Sequence, residues 1–433
     1  MEPGGHDPRH RPGGGRRLGG GVGLAPQARH LSAASRRAAL SVGIAAATLA
    51  VQNGIVMAFA VLYLPLIAEF GGSRGEVAAV HSAVLLLGGF GGPLVGWAFD
   101  RLGPRWLFQA GALLAAAAFV AASRVASLPA LILVYGVVGG LGLAMLGSQA
   151  NMIVAALWYP AARGRAIAVA DLGTGFGAFC FVPLAQILVD AIGWRGTLLV
   201  WAGLLVAVVI PLNAFQRLPE RVVPVGREVQ VEASGWTLEL AVRSPAFWWL
   251  ALTRVCAACA FPILNTHMVA HAIDHGIAPA TAAAALGTVS LVSLPGRFAT
   301  GWLSDRIGRA PTLTITYASA TVGIGCLALL AFTQSPLWLA LYVVFFGLAQ
   351  GSSGIVGSAR AVDVFAGASF GTIYGWLTLA GGPGEALGAW IGGAIFDRTG
   401  SYLGAFVIAV AALAVGLTAM WRVRPDLRRS RMS

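Results

Sequence analysis

Seven ionisable side chains stand inside otherwise apolar stretches of this sequence: His81, Asp171, Arg254, His267, His271, Arg297 and Glu385. A charge in apolar surroundings is costly, and it is retained where it pairs, binds a polar solute or passes a proton. Arg297, in "LPGRFATGWLSDRIGR" (294–309), is a permanent cation whose planar fork of donors matches a carboxylate with two parallel hydrogen bonds. It lies eight residues before Asp305, and Asp171 lies eight after Arg163. At 1.5 Å rise per residue both sit about 12 Å from a charged boundary. Asp171, at the depth of Arg297, is a candidate proton carrier. Glu385, in "AGGPGEALGAW", is a candidate for titration or for a pair with His81. His267 and His271 are four apart and share a helix face. His267 is the candidate for a hydrogen bond to a solute or a proton-sensitive contact. With His275 the three span more than ~10 Å, so at most two neighbours could ligate one ion, and no metal is expected.

These groups need elements to hold them. Apolar residues are 57% of the chain and charged residues 11%, and mean hydropathy is +0.77. A soluble core does not require this excess; a bilayer does. Runs long enough to span ~20 residues of helix occur at 39–67, 77–99, 106–123, 130–157, 166–189 and 196–215, then at 246–272, 279–303, 311–332, 337–359, 370–396 and 402–421. The expectation is an all-α membrane protein of twelve transmembrane helices in two pseudo-symmetric six-helix bundles. Short alternating segments of a transmembrane barrel are not seen. The predicted organisation is a disordered basic tail (1–37), a first bundle (38–215), a cytoplasmic linker (216–244), a second bundle (245–421) and a basic tail (422–433).

All 29 basic residues are Arg. With both termini cytoplasmic, the opposite side receives only Arg74, Arg124, Arg195 and Arg398, which fits the positive-inside rule. Topology thus accounts for the net charge of +12, and no nucleic-acid partner is implied. The first apolar run is too long for a signal peptide. Cys256 and Cys259 have C-x-x-C spacing inside an apolar run, where small packing residues are the expected reading.

One phrase occurs twice. "GWAFDRLGPR" (96–105) and "GWLSDRIGR" (301–309) each follow the second run of a half. Their matching residues are Gly96, Asp100, Arg101 and Gly103, and Gly301, Asp305, Arg306, Gly308 and Arg309. Pro104 displaces the last arginine of the first copy to Arg105. Glycine allows close helix approach, and the aspartate suits a neighbouring helix N-terminus. "RGRAIAVADLGTGFG" (163–177) also aligns without gaps on "FGTIYGWLTLAGGPG" (370–384), with Gly164/Gly371, Gly175/Gly382 and Gly177/Gly384 coinciding. Such internal symmetry is the signature of transporters built from two parallel halves.

The phrase resembles the G-x-x-x-D-R-x-G-R loop of the major facilitator superfamily, and the resemblance covers roughly residues 38–421. It implies alternating access by rocking of two bundles around a central site, with the loop residues locking the halves in the outward-facing state. The Arg297 segment resembles the eighth helix of the monocarboxylate-porter and oxalate–formate-antiporter branch, where an arginine at this place binds the substrate carboxylate. "NTHMVAHAIDHG" (265–276) is similar to that branch's seventh helix. Two departures matter. Ser293 stands where animal-type porters carry an Asp, and the chain has no Lys, which those porters use in helix 1 and the oxalate antiporter in helix 11. A two-cation dicarboxylate site is therefore not expected, and the usual proton carrier is missing or replaced. In this fold the fifth and eighth helices are neighbours across the halves, so the resemblance makes Asp171 a candidate partner of Arg297 that closes the cytoplasmic gate, with Arg254 as a second possible partner. Gln52 and Asn53, Ser148, Gln149 and Asn151, and Asn265 fall on its cavity-lining helices. Asn53 and Gln149 are favoured as substrate contacts, with interhelical hydrogen bonds the other reading. Tyr374 and Trp376 are expected to pack.

The function implied is secondary active transport of a small organic anion, a monocarboxylate, by proton symport or anion exchange. The expected partners are the anion, protons or a counter-anion, and the lipid of a bacterial inner (plasma) membrane, with a functional monomer and no cofactor. Drug or metabolite efflux by proton antiport on the same fold, and a non-transporting membrane sensor, are the alternatives. No G-x-x-x-x-G-K-[ST] loop or H-E-x-x-H occurs, so an enzyme is not expected.

Overall fold

The computed structural model describes residues 24–219, 236–367 and 369–423, and every regular element among them is a helix. Helix closes all backbone hydrogen bonds within one segment, which is what a chain surrounded by lipid requires.

α1 (Leu24–Phe70) starts earlier than predicted and runs back into the stretch expected as tail. "LAPQARHLSAASRR" (24–37) is rich in Ala, Leu, Gln and Arg, which favour helix. Residues 1–23, and the second tail beyond 423, lie outside the described residues. α2 (Arg74–Phe90) opens with a capping box: Glu76 N donates to Ser73 Oγ at 3.2 Å, and Ser73 N donates to Glu76 Oε2 at 2.9 Å. α3 (Gly92–Ala122) continues α2 and then breaks at Gly103, at φ 72°. The fourth run comprises α4 (Leu128–Leu131), a π stretch, α5 (Gly140–Met145) and α6 (Ser148–Trp158). α7 (Arg163–Leu204) breaks at Gly193, at φ 71°, and leads through a second π stretch to α8 (Ile210–Ala214). The breaks at Gly103 and Gly193 fall where the sequence places the ends of its second and fifth runs.

Within the linker, the described part includes α9 (Leu238–Arg243). There follow α10 (Pro245–Asp274), α11 (Pro279–Ile307), α12 (Arg309–Thr333), α13 (Pro336–Ala349), α14 (Ser352–Phe365), α15 (Phe370–Leu379), α16 (Gly381–Thr399) and α17 (Leu403–Arg422). Among the described residues, nine helical stretches are long and apolar enough to cross a membrane.

Each half repeats one packing. α7 lies on α1 so closely that a Cβ on Gly177 would overlap the Ala50 carbonyl. At the corresponding place α16 lies on α10, and a Cβ on Gly384 would come within 2.8 Å of the Val255 oxygen. The fourth and tenth runs also break alike, at Gly147–Ser148 and Gly351–Ser352. The halves meet where α2 lies along α16 and α7 along α11, and α1 touches α10. The outer surface exposes Leu113, Ile187, Phe332 and Val407, each more than half accessible, as a lipid-facing surface does.

Candidate functional site

Between the halves lies a cavity of ≈ 550 Å³, within the range that holds small ligands. Its charged lining comes from the second half: Arg254 of α10, Arg297 of α11 and Glu385 of α16. Amides and hydroxyls come from both halves, with Gln52, Asn53, Ser148 and Gln149 from the first and Asn265, Gln350, Ser353 and Thr378 from the second. Val56, Met57, Val84 and Phe261 are among the apolar wall.

Both arginines are paired with carboxylates. Arg297 Nη1 donates to Asp171 Oδ2 of α7, across the boundary between halves, and to Thr174 Oγ1 at 3.2 Å. The sequence expectation of an Asp171–Arg297 pair is a contact of this structure. Arg254 Nη2 donates to Glu385 Oε1 at 3.1 Å. Glu385 thus pairs with Arg254 and not with His81, whose buried ring stacks on Phe59 at 4.7 Å. Arg254 also brings a second cation to the cavity, which the absence of lysine had argued against.

Each guanidinium lies across a glycine at a helix break. A Cβ on Gly351 would approach Arg297 Nε to 2.6 Å, and one on Gly381 would approach Arg254 Nε to 2.8 Å. Gly351 also has φ 90°, a conformation that excludes most side chains. The Nε atoms of both arginines are buried with no hydrogen-bond partner among the described residues.

Asn53 lines the cavity, and its Nδ2 donates to the Thr174 carbonyl at 2.8 Å, so one amide hydrogen is already used. Gln149 lies against Gly92, where a Cβ would approach its Oε1 to 2.7 Å. Asn151 is buried and bridges the break before α6, donating to Leu146 O at 2.8 Å and Gly147 O at 3.0 Å. His267 does not line the cavity, contrary to its reading as a substrate contact. It is fully buried, with Nε2 2.8 Å from the Ala389 oxygen and its ring beside Tyr63 and Tyr402. His271 turns to another carbonyl, Leu327, at 3.0 Å. Tyr374, read from sequence as packing, lines the cavity and two smaller hollows that extend toward the Asp305–Arg309 loop.

Away from that loop the halves are latched. Arg74, at the start of α2, donates to Asp274 of α10 through Nη1 at 2.6 Å and Nη2 at 2.9 Å, and to Tyr402 Oη at 2.6 Å. The backbone amides of Arg74 and Gly75 each donate to Asp397 of α16 at 2.7 Å. The carboxylate sits at the N-terminus of α2, where the dipole and free amides favour an anion. Tyr63 Oη donates to the Arg74 carbonyl at 2.6 Å, and the guanidinium lies 3.7 Å from the Phe396 ring. Sequence reasoning did not single out this cluster. The usable signal was the scarcity of charge at this end, where Arg74 is one of four arginines.

The repeated loops are built alike. Gly103 and Gly308 both take positive φ, 72° and 94°. Arg101 lies over Trp97 at 4.6 Å and Arg306 over Trp302 at 4.0 Å. In the second copy Arg309 donates to Asp305 at 2.6 Å, Ser304 at 2.9 Å and Asp363 at 3.0 Å. Asp305 therefore serves its own loop arginine rather than a neighbouring helix N-terminus. Asp100, the counterpart of Asp305, is exposed, and open space surrounds a Cβ on Gly96 or Gly301, so neither glycine makes the close helix approach expected of it.

A lipid-facing helical shell, two repeated halves and a charged cavity between them define an integral membrane transporter. The sequence profile of the Major Facilitator Superfamily matches residues 42–382, and the chain belongs to that family. It is 29% identical over 374 residues to monocarboxylate transporter 13 of Rattus norvegicus, covering 84% of this chain and 83% of the other. It is 23% identical over 391 residues to the uncharacterized MFS-type transporter YcxA of Bacillus subtilis, covering 88% and 93%. Among solved structures, a bacterial homolog of the human lysosomal transporter Spinster superposes with TM-score 0.70 at 18% identity, over 89% and 96% of the two chains. The xylose transporter XylE from E. coli superposes at 0.68 with 15% identity, over 90% and 100%. These likenesses establish the fold.

Proposed function

We propose that this chain moves a small monocarboxylate across the membrane by alternating access, coupled to proton symport or anion exchange. The observation that carries the reading is Arg297, a cation facing the cavity from one half and held by Asp171 from the other. A substrate carboxylate competing for this guanidinium weakens a bond between the halves as it binds, which ties occupancy to their movement. The likeness to a protein named monocarboxylate transporter supports the substrate class. The apolar wall suits a short alkyl or keto chain, and Asn53 and Gln149 offer amides to its polar end. The loops Gly96–Gly103 and Gly301–Arg309 act as hinged contacts in the conformational cycle.

In this reading the chain crosses the plasma membrane, in a bacterium the inner membrane, twelve times, with both termini cytoplasmic and the monomer as the working unit. The latch at Arg74 then closes the outer side, and the cavity opens past Tyr374 toward the cytoplasm.

The test is uptake of labelled lactate, pyruvate, formate and oxalate into proteoliposomes of the purified protein, with and without an inward proton gradient. Wild-type flux of a monocarboxylate that Arg297→Gln abolishes supports the reading. No flux of any of these acids by folded wild-type protein sinks it in favour of efflux or sensing.

A further inference from the structure

The cavity's charges cancel. Arg297 is matched by Asp171 and Arg254 by Glu385. A monoanion entering this neutral set brings an uncompensated charge into a site walled by Val56, Met57, Val84 and Phe261, at high cost. One proton on either carboxylate restores the balance, and the two are not equivalent. Asp171 is held by Arg297, has Thr174 Oγ1 at 3.4 Å and is not among the cavity-lining residues. Glu385 lines the cavity, and its hydrogen bond is the one from Arg254.

The surroundings of Glu385 leave this pair to itself. α10 brings Arg254, with Cys256 and Cys259 beside it in sequence and His267 committed to the Ala389 carbonyl. α2 brings His81, stacked on Phe59, with Arg74 and Glu76 at its far end. α15 brings Tyr374, and α17 carries no ionisable residue before Arg422. Within α16 the other charges are Asp397 and Arg398, in its last turn. Arg297, on α11, shares the cavity.

We propose that Glu385 is the proton-carrying residue of this transporter and that Arg254 is the charge it exchanges with the substrate. The proposal rests on the monocarboxylate reading above for its cargo. The anion anchors at Arg297, and a proton from the open side converts the Glu385 carboxylate to the acid. The acid no longer holds Arg254 as an ion pair, so its Nη2–H and unpartnered Nε–H turn to the bound carboxylate. Anion and proton cross together. On the far side the anion leaves, Glu385 gives up its proton, and the Arg254 pair re-forms. No net charge moves.

Two measurements on the reconstituted full chain test this. The first is infrared difference spectroscopy on stepping from neutral to acidic pH, which needs no substrate. A protonated-carboxyl band present in wild type and missing in Glu385→Gln supports the proposal; an identical band in both overturns it. Arg254→Gln, which leaves Glu385 without its partner, shows the band already at neutral pH. The second is labelled lactate flux. Wild type accumulates lactate about tenfold per pH unit of gradient, independent of an imposed membrane potential. Glu385→Gln loses this accumulation in larger proportion than it loses lactate exchange. Gradient-driven accumulation kept by Glu385→Gln and lost in Asp171→Asn moves the proton to Asp171 and overturns the proposal. If wild type moves none of the acids, the substrate reading falls while the infrared result still decides the proton's place.

Discussion

Arg297 and Asp171 lie 126 residues apart and join the two halves of the molecule at the wall of the cavity. The same guanidinium nitrogen reaches Thr174 Oγ1, whose hydroxyl donates to the Asp171 carbonyl at 2.7 Å. The arginine is thus held on the α7 side, while its Nε is buried against Gly351 with no hydrogen-bond partner among the described residues.

Arg297→Gln removes the charge and the fork. Hydrogen bonds to a charged group contribute about 1.5–3 kcal/mol, so lactate affinity is expected to fall by about 10- to 150-fold. Equilibrium binding of labelled lactate to detergent-solubilised protein checks this. Unchanged binding by the variant would move the anion elsewhere in the cavity. Arg297→Lys recovers part of the loss at most, because an ammonium cannot present two coplanar donors.

Asp171→Asn keeps the shape and removes the competitor. If the substrate displaces this carboxylate, lactate binding strengthens, by up to about tenfold for a pair worth ~1.4 kcal/mol. Exchange turnover slows, because the bond that re-closes the halves is weakened. Weaker binding in this variant would show that Asp171 positions Arg297 instead of competing for it.

Gly351→Ala tests the seat beneath the arginine. The left-handed backbone there costs an L-residue about 1–2 kcal/mol, and the new methyl falls 2.6 Å from Arg297 Nε. Lower thermal stability and weaker lactate binding are both expected. Gly325→Ala, a helical position in α12 with open space around it, leaves binding intact and is neutral or stabilising.

Asp397→Asn weakens the latch. The carboxylate accepts two backbone amides at the start of α2, one on each oxygen, whereas the asparagine keeps a single acceptor oxygen and turns an N–H donor toward the other amide. Loss of about 1.5–3 kcal/mol shifts the balance between closed and open states by about tenfold or more. Spin labels at Ser127 and Ala280, exposed positions at this end of opposite halves, report the shift as a longer-distance population. Unchanged distances would show that packing of α2 on α16 holds this end without the charges.

Much of the architecture is legible in the residues. Gly103 and Gly308 occupy the same place in a repeated phrase and both take positive φ, a turn requirement and not the close helix approach expected of the motif glycines. Gly177 and Gly384, aligned from sequence, both seat one helix on the backbone of another. Asp171 and Arg297 were paired from equal depth on two runs and from the resemblance that makes those runs neighbours. The other site residues were less readable. Glu385 was offered to His81 and binds Arg254; His267 was placed in the cavity and faces Ala389 and Tyr63; Tyr374 was set aside as packing and lines the cavity.

The sequence by itself determined which segments are helical and apolar, how deep each ionisable group lies and how the halves repeat, because hydropathy, length and 1.5 Å rise are local properties. Only the tertiary structure decided which way each group points. Successive residues on a helix turn by about 100°, so a small change in rotation or tilt moves a side chain from cavity to neighbour to lipid. That rotation is set by close contacts such as Gly384 on Ala258 and Gly382 on Gly89. The latch at Arg74 depends on them most, since it gathers Tyr63, Asp274, Asp397 and Tyr402 from segments that only the packing of the two halves brings together.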